Sequence, residues 1–150
     1  MADDQESLDD WARICSLLAR YVTVIDNARF DELPTLFAPD GALRSLITGR
    51  TTYRGDLSDY LRAVVMSRTR PAWRTVHHHL AMPAIEIGGD GTATSVCYFT
   101  AFNADAPDHW GSYRDTLITV GGSWLFRERV VEMIGSNPGG WVGSGAAALR

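Results

Sequence analysis

From Thr75 to Ile134 the chain reads as four strand-forming runs in succession, and that stretch limits the possible folds more than any other feature. The runs are Thr75–Ile87, Thr92–Asn103, Trp110–Val120 and Ser123–Ile134, each rich in β-branched and aromatic residues. Gly88-Gly89-Asp90-Gly91, a loop holding Pro107-Asp108, and Gly121-Gly122 divide them. Breaks this short join neighbouring strands as hairpins, so the sheet is mainly antiparallel. Pro83 has no N–H to give a ladder, which predicts a bulge or an edge within the first run.

Ahead of the strands the periodicity is helical. Ser7 is a candidate N-cap, with Asp10 three residues later to complete a capping box. Trp11, Ile14, Leu17, Leu18, Tyr21, Val22 and Ile25 then recur at three- and four-residue steps, the spacing of one helical face. A short second helix is expected over Asp31–Phe37, with Pro34 in its first turn. Pro39-Asp40-Gly41 reads as a turn launching a strand over Leu43–Ile47. Asp56 or Ser58 can cap a third helix carrying Leu61, Val64 and Val65, stopped by Pro71. Helices first and strands afterwards define an α+β domain: a curved sheet wrapped by one long helix and two shorter ones. Residues 1–134 form that domain, and the Gly-, Ser- and Ala-rich segment 135–150 reads as a flexible tail.

At 150 residues the chain can bury a core without disulfide or metal support. A net charge of −4 and the lack of a basic stripe argue against nucleic-acid binding, which needs cations to displace counterions from phosphates. Cys15 and Cys97 lack a C-x-x-C partner and read as small buried thiols of a reducing compartment. The acidic start, Met1-Ala2-Asp3-Asp4-Gln5-Glu6, does not resemble a targeting peptide, and no apolar run approaches the roughly 20 residues of a membrane span. The expectation is a cytoplasmic protein with no membrane partner.

Two features carry chemistry. Asp26 falls at the carboxyl end of the first helix, where the macrodipole disfavours a negative charge, and at the edge of the apolar stripe. It needs a compensating partner. His77-His78-His79 opens the first strand run, and alternation sends His78 to the face opposite the other two. An inward imidazole can carry protons, since such rings ionise near neutrality. A metal site would need at least three ligands, and no further set stands at a suitable spacing. Gly88-Gly89-Asp90-Gly91 opens no helix and is a hairpin turn, not a phosphate loop. Gly143-Ser144-Gly145 lies outside any strand–turn–helix elbow. Five tryptophans, with Tyr21, Tyr98 and Tyr113, fit a large apolar cavity.

The ordered set of motifs resembles the SnoaL-like branch of the nuclear-transport-factor-2-like superfamily. The set is Leu17-Leu18-Ala19-Arg20-Tyr21 leading to Ile25-Asp26, then Leu36-Phe37-Ala38-Pro39-Asp40-Gly41, and His78 ahead of Pro83-Ala84-Ile85-Glu86-Ile87-Gly88-Gly89-Asp90. Gly111-Ser112-Tyr113-Arg114-Asp115 and Gly122-Ser123-Trp124 with Arg127 and Arg129 complete it. The resemblance implies a cone-shaped α+β barrel around a deep pocket. It also implies catalysis by Asp26 and His78 as an acid/base pair with Tyr21 as hydrogen-bond donor. Arg129 matches a last-strand arginine that can reach the pocket, and Met82 stands where relatives frequently carry Asn. Arg129, Trp110, Tyr53, Tyr98 and Met82 are the candidate substrate contacts.

The function so implied is a cofactor-independent dehydratase, isomerase or cyclase acting on a hydrophobic polyketide-, steroid- or terpenoid-like molecule. The alternative is a non-catalytic binding or assembly domain, such as the small subunit of a ring-hydroxylating dioxygenase. Apolar side chains on the outer sheet face point to a homodimer.

Overall fold

A computed structural model of the chain describes residues 2–66, 76–103, 106–140 and 142, with residues 2–6 and 66 described by backbone alone. Pro71, Trp73, the start of the first strand run at Thr75, and Gly143-Ser144-Gly145 lie outside the described residues.

The long helix, α1, spans Ala2–Asp26. It starts before the expected cap, because the acidic residues at 3, 4 and 6 suit the positive end of a helix dipole. Ser7 therefore lies within the helix, and Asp10 instead accepts a bond from Trp124 Nε1 at 2.8 Å. Ile14, Leu17, Leu18, Tyr21 and Val22 are buried along one stripe, while Trp11 stays partly exposed. Phe30–Leu36 forms a 3-10 helix, and α2 spans Leu57–Met66.

Seven strands make one sheet: β1 Phe37–Ser45, β2 Arg50–Tyr53, β3 His77–Leu80, β4 Ala84–Ile87, β5 Thr92–Phe102, β6 Pro107–Val120 and β7 Ser123–Ser136. The order is β2-β1-β7-β6-β5-β3, with β4 also on β5, and only β1–β7 is parallel. The sheet is strongly curved and does not close, so the expected cone is an open one. β3 and β4 are two pieces of one edge strand interrupted at Ala81-Met82-Pro83, where a proline is tolerated.

Pro39-Asp40-Gly41 lies inside β1, correcting the turn expected there. The β1–β7 pairing jumps from Phe37↔Phe126 to Ala42↔Glu128, so the tripeptide is the body of a bulge. A side chain at Gly41 would sit 2.6 Å from the Phe126 carbonyl oxygen, which is why glycine occupies it. Further slips come in β7, where Arg127 and Ile134 have no partner in β6. The slip at Arg127 changes which residues face inward. Trp124 and Phe126 are buried before it, and Arg129, Val131 and Met133 face inward after it.

Residues 135–140 and 142, expected as part of a flexible tail, are built into the fold. Gly135 and Ser136 finish β7, Asn137 N–H bonds the Asp108 carbonyl at 2.7 Å, and Val142 is buried. Residues 141 and 143–150 lie outside the described set.

Candidate active site

Asp26 is the last residue of α1, and the chain turns sharply after it. Ala28 N–H bonds the Ile25 carbonyl, Arg29 N–H bonds that of Val24, and Ala28 takes a left-handed φ of 55°. That is a Schellman closure, and it holds the Asp26 side chain at a defined exit from the helix. One carboxylate oxygen accepts the backbone N–H of His78 at 2.9 Å, and the other meets His78 Nδ1 at 2.6 Å. An ionised carboxylate only accepts, so Nδ1 carries the proton and Nε2 is left as the working nitrogen. Two donors, one on the ring and one on the backbone of the same residue, offset the unfavourable helix dipole at Asp26. Both side chains are mostly buried, at 11% exposure for His78 and 13% for Asp26.

The His78 ring lines a cavity of about 140 Å³ bounded by α1, α2 and the concave face of the sheet. Tyr21, Tyr113 and His109 line it too. Ile25, Leu61, Val64 and Val65 supply aliphatic wall from the helices, and Val131 and Met133 supply it from β7. Val142 contributes from beyond the sheet.

His109 was not singled out from sequence. Its ring stands edge-on to His78, with centroids 5.4 Å apart, and packs 5.8 Å from Phe99. Its Nδ1 is 3.5 Å from an oxygen of the fully buried Asp108, which also accepts the Val142 N–H at 3.2 Å. The signal was available. Alternation along β6 puts 109 on the same face as the inward Tyr113, Asp115 and Leu117.

Arg129 faces inward but does not reach the cavity. Its Nε and Nη2 each donate to Asp115 at 2.7 Å, and Ser95 Oγ donates to the same carboxylate at 2.9 Å. The guanidinium carbon lies 4.1 Å from the Tyr21 ring centroid, 4.3 Å from Tyr113 and 4.1 Å from Phe126. Burial opposes the Arg129 charge, but the Asp115 pairing outweighs it and the pKa rises above its ordinary value. Arg129 is thus a buried brace behind Tyr21, outside the residues that line the cavity.

Burial pushes the Tyr21 phenol up to about 12, against the pull of the Arg129 cation. Tyr113 is also raised well above 10, by burial first and by Tyr21 next. Tyr21 therefore keeps its proton as a donor. The unfolded chain releases that proton near pH 10 and the folded chain near 12, so this contribution to stability is lost as pH rises between them. Tyr21→Phe should leave the tyrosinate absorbance of the folded protein unchanged up to about pH 11, while removing one tyrosinate from the unfolded chain.

The other four proposed contacts stand apart from the cavity. Tyr98 and Trp110 occupy even positions of β5 and β6, whose odd positions face inward, and are 59% and 39% exposed. Tyr53 ends β2 one residue past the buried Thr52 and is 63% exposed. Met82 lies in the break between β3 and β4 and is 81% exposed. Among the described residues no group of three His, Cys, Asp or Glu side chains gathers as a metal site, and no helix is long and apolar enough to cross a membrane.

An α+β cone with a carboxylate–imidazole pair at its cavity is the class this geometry defines. The SnoaL-like domain model matches residues 6–130, and the chain belongs to that family. No curated protein matches. Among solved structures it is similar to Rv3472, a function-unknown protein from Mycobacterium tuberculosis. There the identity is 22%, the TM-score is 0.78, and the match covers 97% of this chain and 88% of that one. A putative scytalone dehydratase from Novosphingobium aromaticivorans matches at 21% identity and TM-score 0.73, over 91% of each chain. The β subunit of a putative aromatic-ring-hydroxylating dioxygenase from the same organism matches at 17% and 0.68, over 87% of this chain and 93% of that one. At these identities the likeness is one of fold.

Proposed function

We propose that this protein is a cofactor-independent lyase or isomerase that moves protons with His78 on a hydroxy-carbonyl substrate. The observation that carries the reading is the 2.6 Å contact between His78 Nδ1 and Asp26, beside a cavity lined by the same imidazole. In the dehydration direction, Nε2 of His78 takes a proton from the carbon α to a carbonyl. The released electron pair forms the new C=C bond as the β C–O bond breaks. The leaving hydroxide takes a proton from an imidazolium, His78 itself or the adjacent His109, and departs as water. Tyr21 donates a hydrogen bond to the carbonyl oxygen as charge gathers there. Asp26 holds the tautomer and balances the imidazolium.

The test is conversion of 3-hydroxycyclohexanone to cyclohexenone, followed by the enone's ultraviolet absorbance, in wild type and His78→Ala. Turnover that is equal in the two would sink the reading. A second reading, assembly without catalysis, draws on the fold likeness to the dioxygenase β subunit. It requires co-purification with a larger iron-containing chain.

We also propose a homodimer through the convex face of the sheet, where Val96, Tyr98, Phe102 and Trp110 leave apolar surface in water. Light scattering should then give twice the chain mass, and Tyr98→Arg with Trp110→Arg should return it to that of one chain. A wild-type mass of one chain would remove the proposal.

A further inference from the structure

The geometry points to a neutral molecule about the size of a single ring as the ligand of this cavity, carrying its oxygens at one end; this rests on the reading that the His78 cavity is where the substrate is held. Size is the first argument. An engineered protein cavity of roughly 150 Å³ holds one benzene ring, and the space here is about 140 Å³. A tetracyclic steroid skeleton has nearly three times the ring carbons of benzene, so most of it would stand outside the partly open mouth. The space that Val64, Val65, Met133 and Val142 leave encloses one ring fully and a larger skeleton only in part.

Charge is the second argument. No lysine, arginine, aspartate or glutamate is among the described residues lining the cavity. The two titratable imidazoles there each have a carboxylate behind them, Asp26 at 2.6 Å from His78 and Asp108 at 3.5 Å from His109. A proton taken up by either ring therefore has an aspartate within about 3.5 Å to offset it, which weakens its pull on a ligand anion. Among the described residues the buried cation is Arg129, and it spends its charge on Asp115. Among the described residues a carboxylate ligand would surrender its hydration and gain no counterion.

Polarity is the third. His78, His109, Tyr21 and Tyr113 cluster on the lining, which otherwise holds mainly aliphatic side chains with the Tyr60 phenol on α2 and the Ser45 hydroxyl on β1. A cyclic hydroxyketone suits this division, with its oxygens toward the imidazoles and phenols and its methylenes against Leu61, Val64 and Val131.

The experiment measures binding of three probes by calorimetry and ligand-observed NMR: 3-hydroxycyclohexanone, cyclohexanecarboxylate and the steroid androstenedione. The hydroxyketone should bind at least about tenfold more tightly than either comparator. Filling the cavity from two different elements, with Val64→Trp on α2 and Met133→Trp on β7, should abolish that binding in whichever variant folds. The inference is overturned if the steroid or the carboxylate binds as well as the hydroxyketone, or if the hydroxyketone does not bind. Binding that survives in a folded cavity-filled variant also overturns it. Binding of the hydroxyketone without formation of cyclohexenone defeats the catalytic reading alone and leaves the ligand class standing.

Discussion

Asp115→Ala is expected to cost about 3–5 kcal/mol of folding stability. The Asp115 and Arg129 side chains are both fully buried and joined by two 2.7 Å hydrogen bonds. Removing the carboxylate leaves a fully buried guanidinium against the rings of Tyr21, Tyr113 and Phe126 without its counterion. The aromatic faces attract the cation but accept no N–H bonds as a carboxylate does. In thermal unfolding the loss should appear as a fall in Tm of roughly 6–20 °C. Replacing both partners, Asp115→Leu with Arg129→Met, should recover much of the loss, since no charge then stays buried. A cost below about 1 kcal/mol for Asp115→Ala would mean that the pair is not the brace described.

The second large effect falls on turnover. Asp26→Asn is expected to slow the reaction by about 10²–10⁴-fold while leaving binding of 3-hydroxycyclohexanone within about twofold of wild type. The amide is nearly isosteric, so the cavity keeps its shape. What is lost is the negative charge facing Nδ1, and with it both the preference for the Nδ1-protonated tautomer and the balance for an imidazolium. His78→Ala should be as slow, and the double variant no slower than His78→Ala, because Asp26 acts through the imidazole. A double variant markedly slower than His78→Ala would give Asp26 a separate role. A parallel loss of binding in Asp26→Asn would instead mean that the carboxylate shapes the cavity.

Much of the fold was legible because regular elements announce themselves by period. The stripe from Ile14 to Val22 placed α1 against the core, and the glycine breaks at 88–91 and 121–122 marked the hairpins. What the period misled on was irregularity. Pro39-Asp40-Gly41 has turn composition, yet it bulges within β1 because β7 runs alongside and continues the pairing. Tyr98 and Trp110 look like ligand platforms by residue type, and parity on their strands turns them outward. His109 is the reverse case: β6 starts at Pro107, ahead of the expected Trp110, and shared parity with Tyr113 then turns it inward.

The sequence by itself determined the α+β order and the helix stripe, since these depend on residues close along the chain. It also placed Asp26 at a helix end, where a carboxylate lacks local support. Only the tertiary structure decided what answered that need, for His78 lies 52 residues away and meets Asp26 through the return of an edge strand beneath α1. The same holds for Arg129. A one-residue slip at Arg127 turns it inward, Asp115 occupies its charge, and the arginine expected to touch substrate is a brace behind Tyr21. Pairings across the sheet depend on bulges and register, which backbone hydrogen bonding sets cooperatively and which no local run of residues encodes.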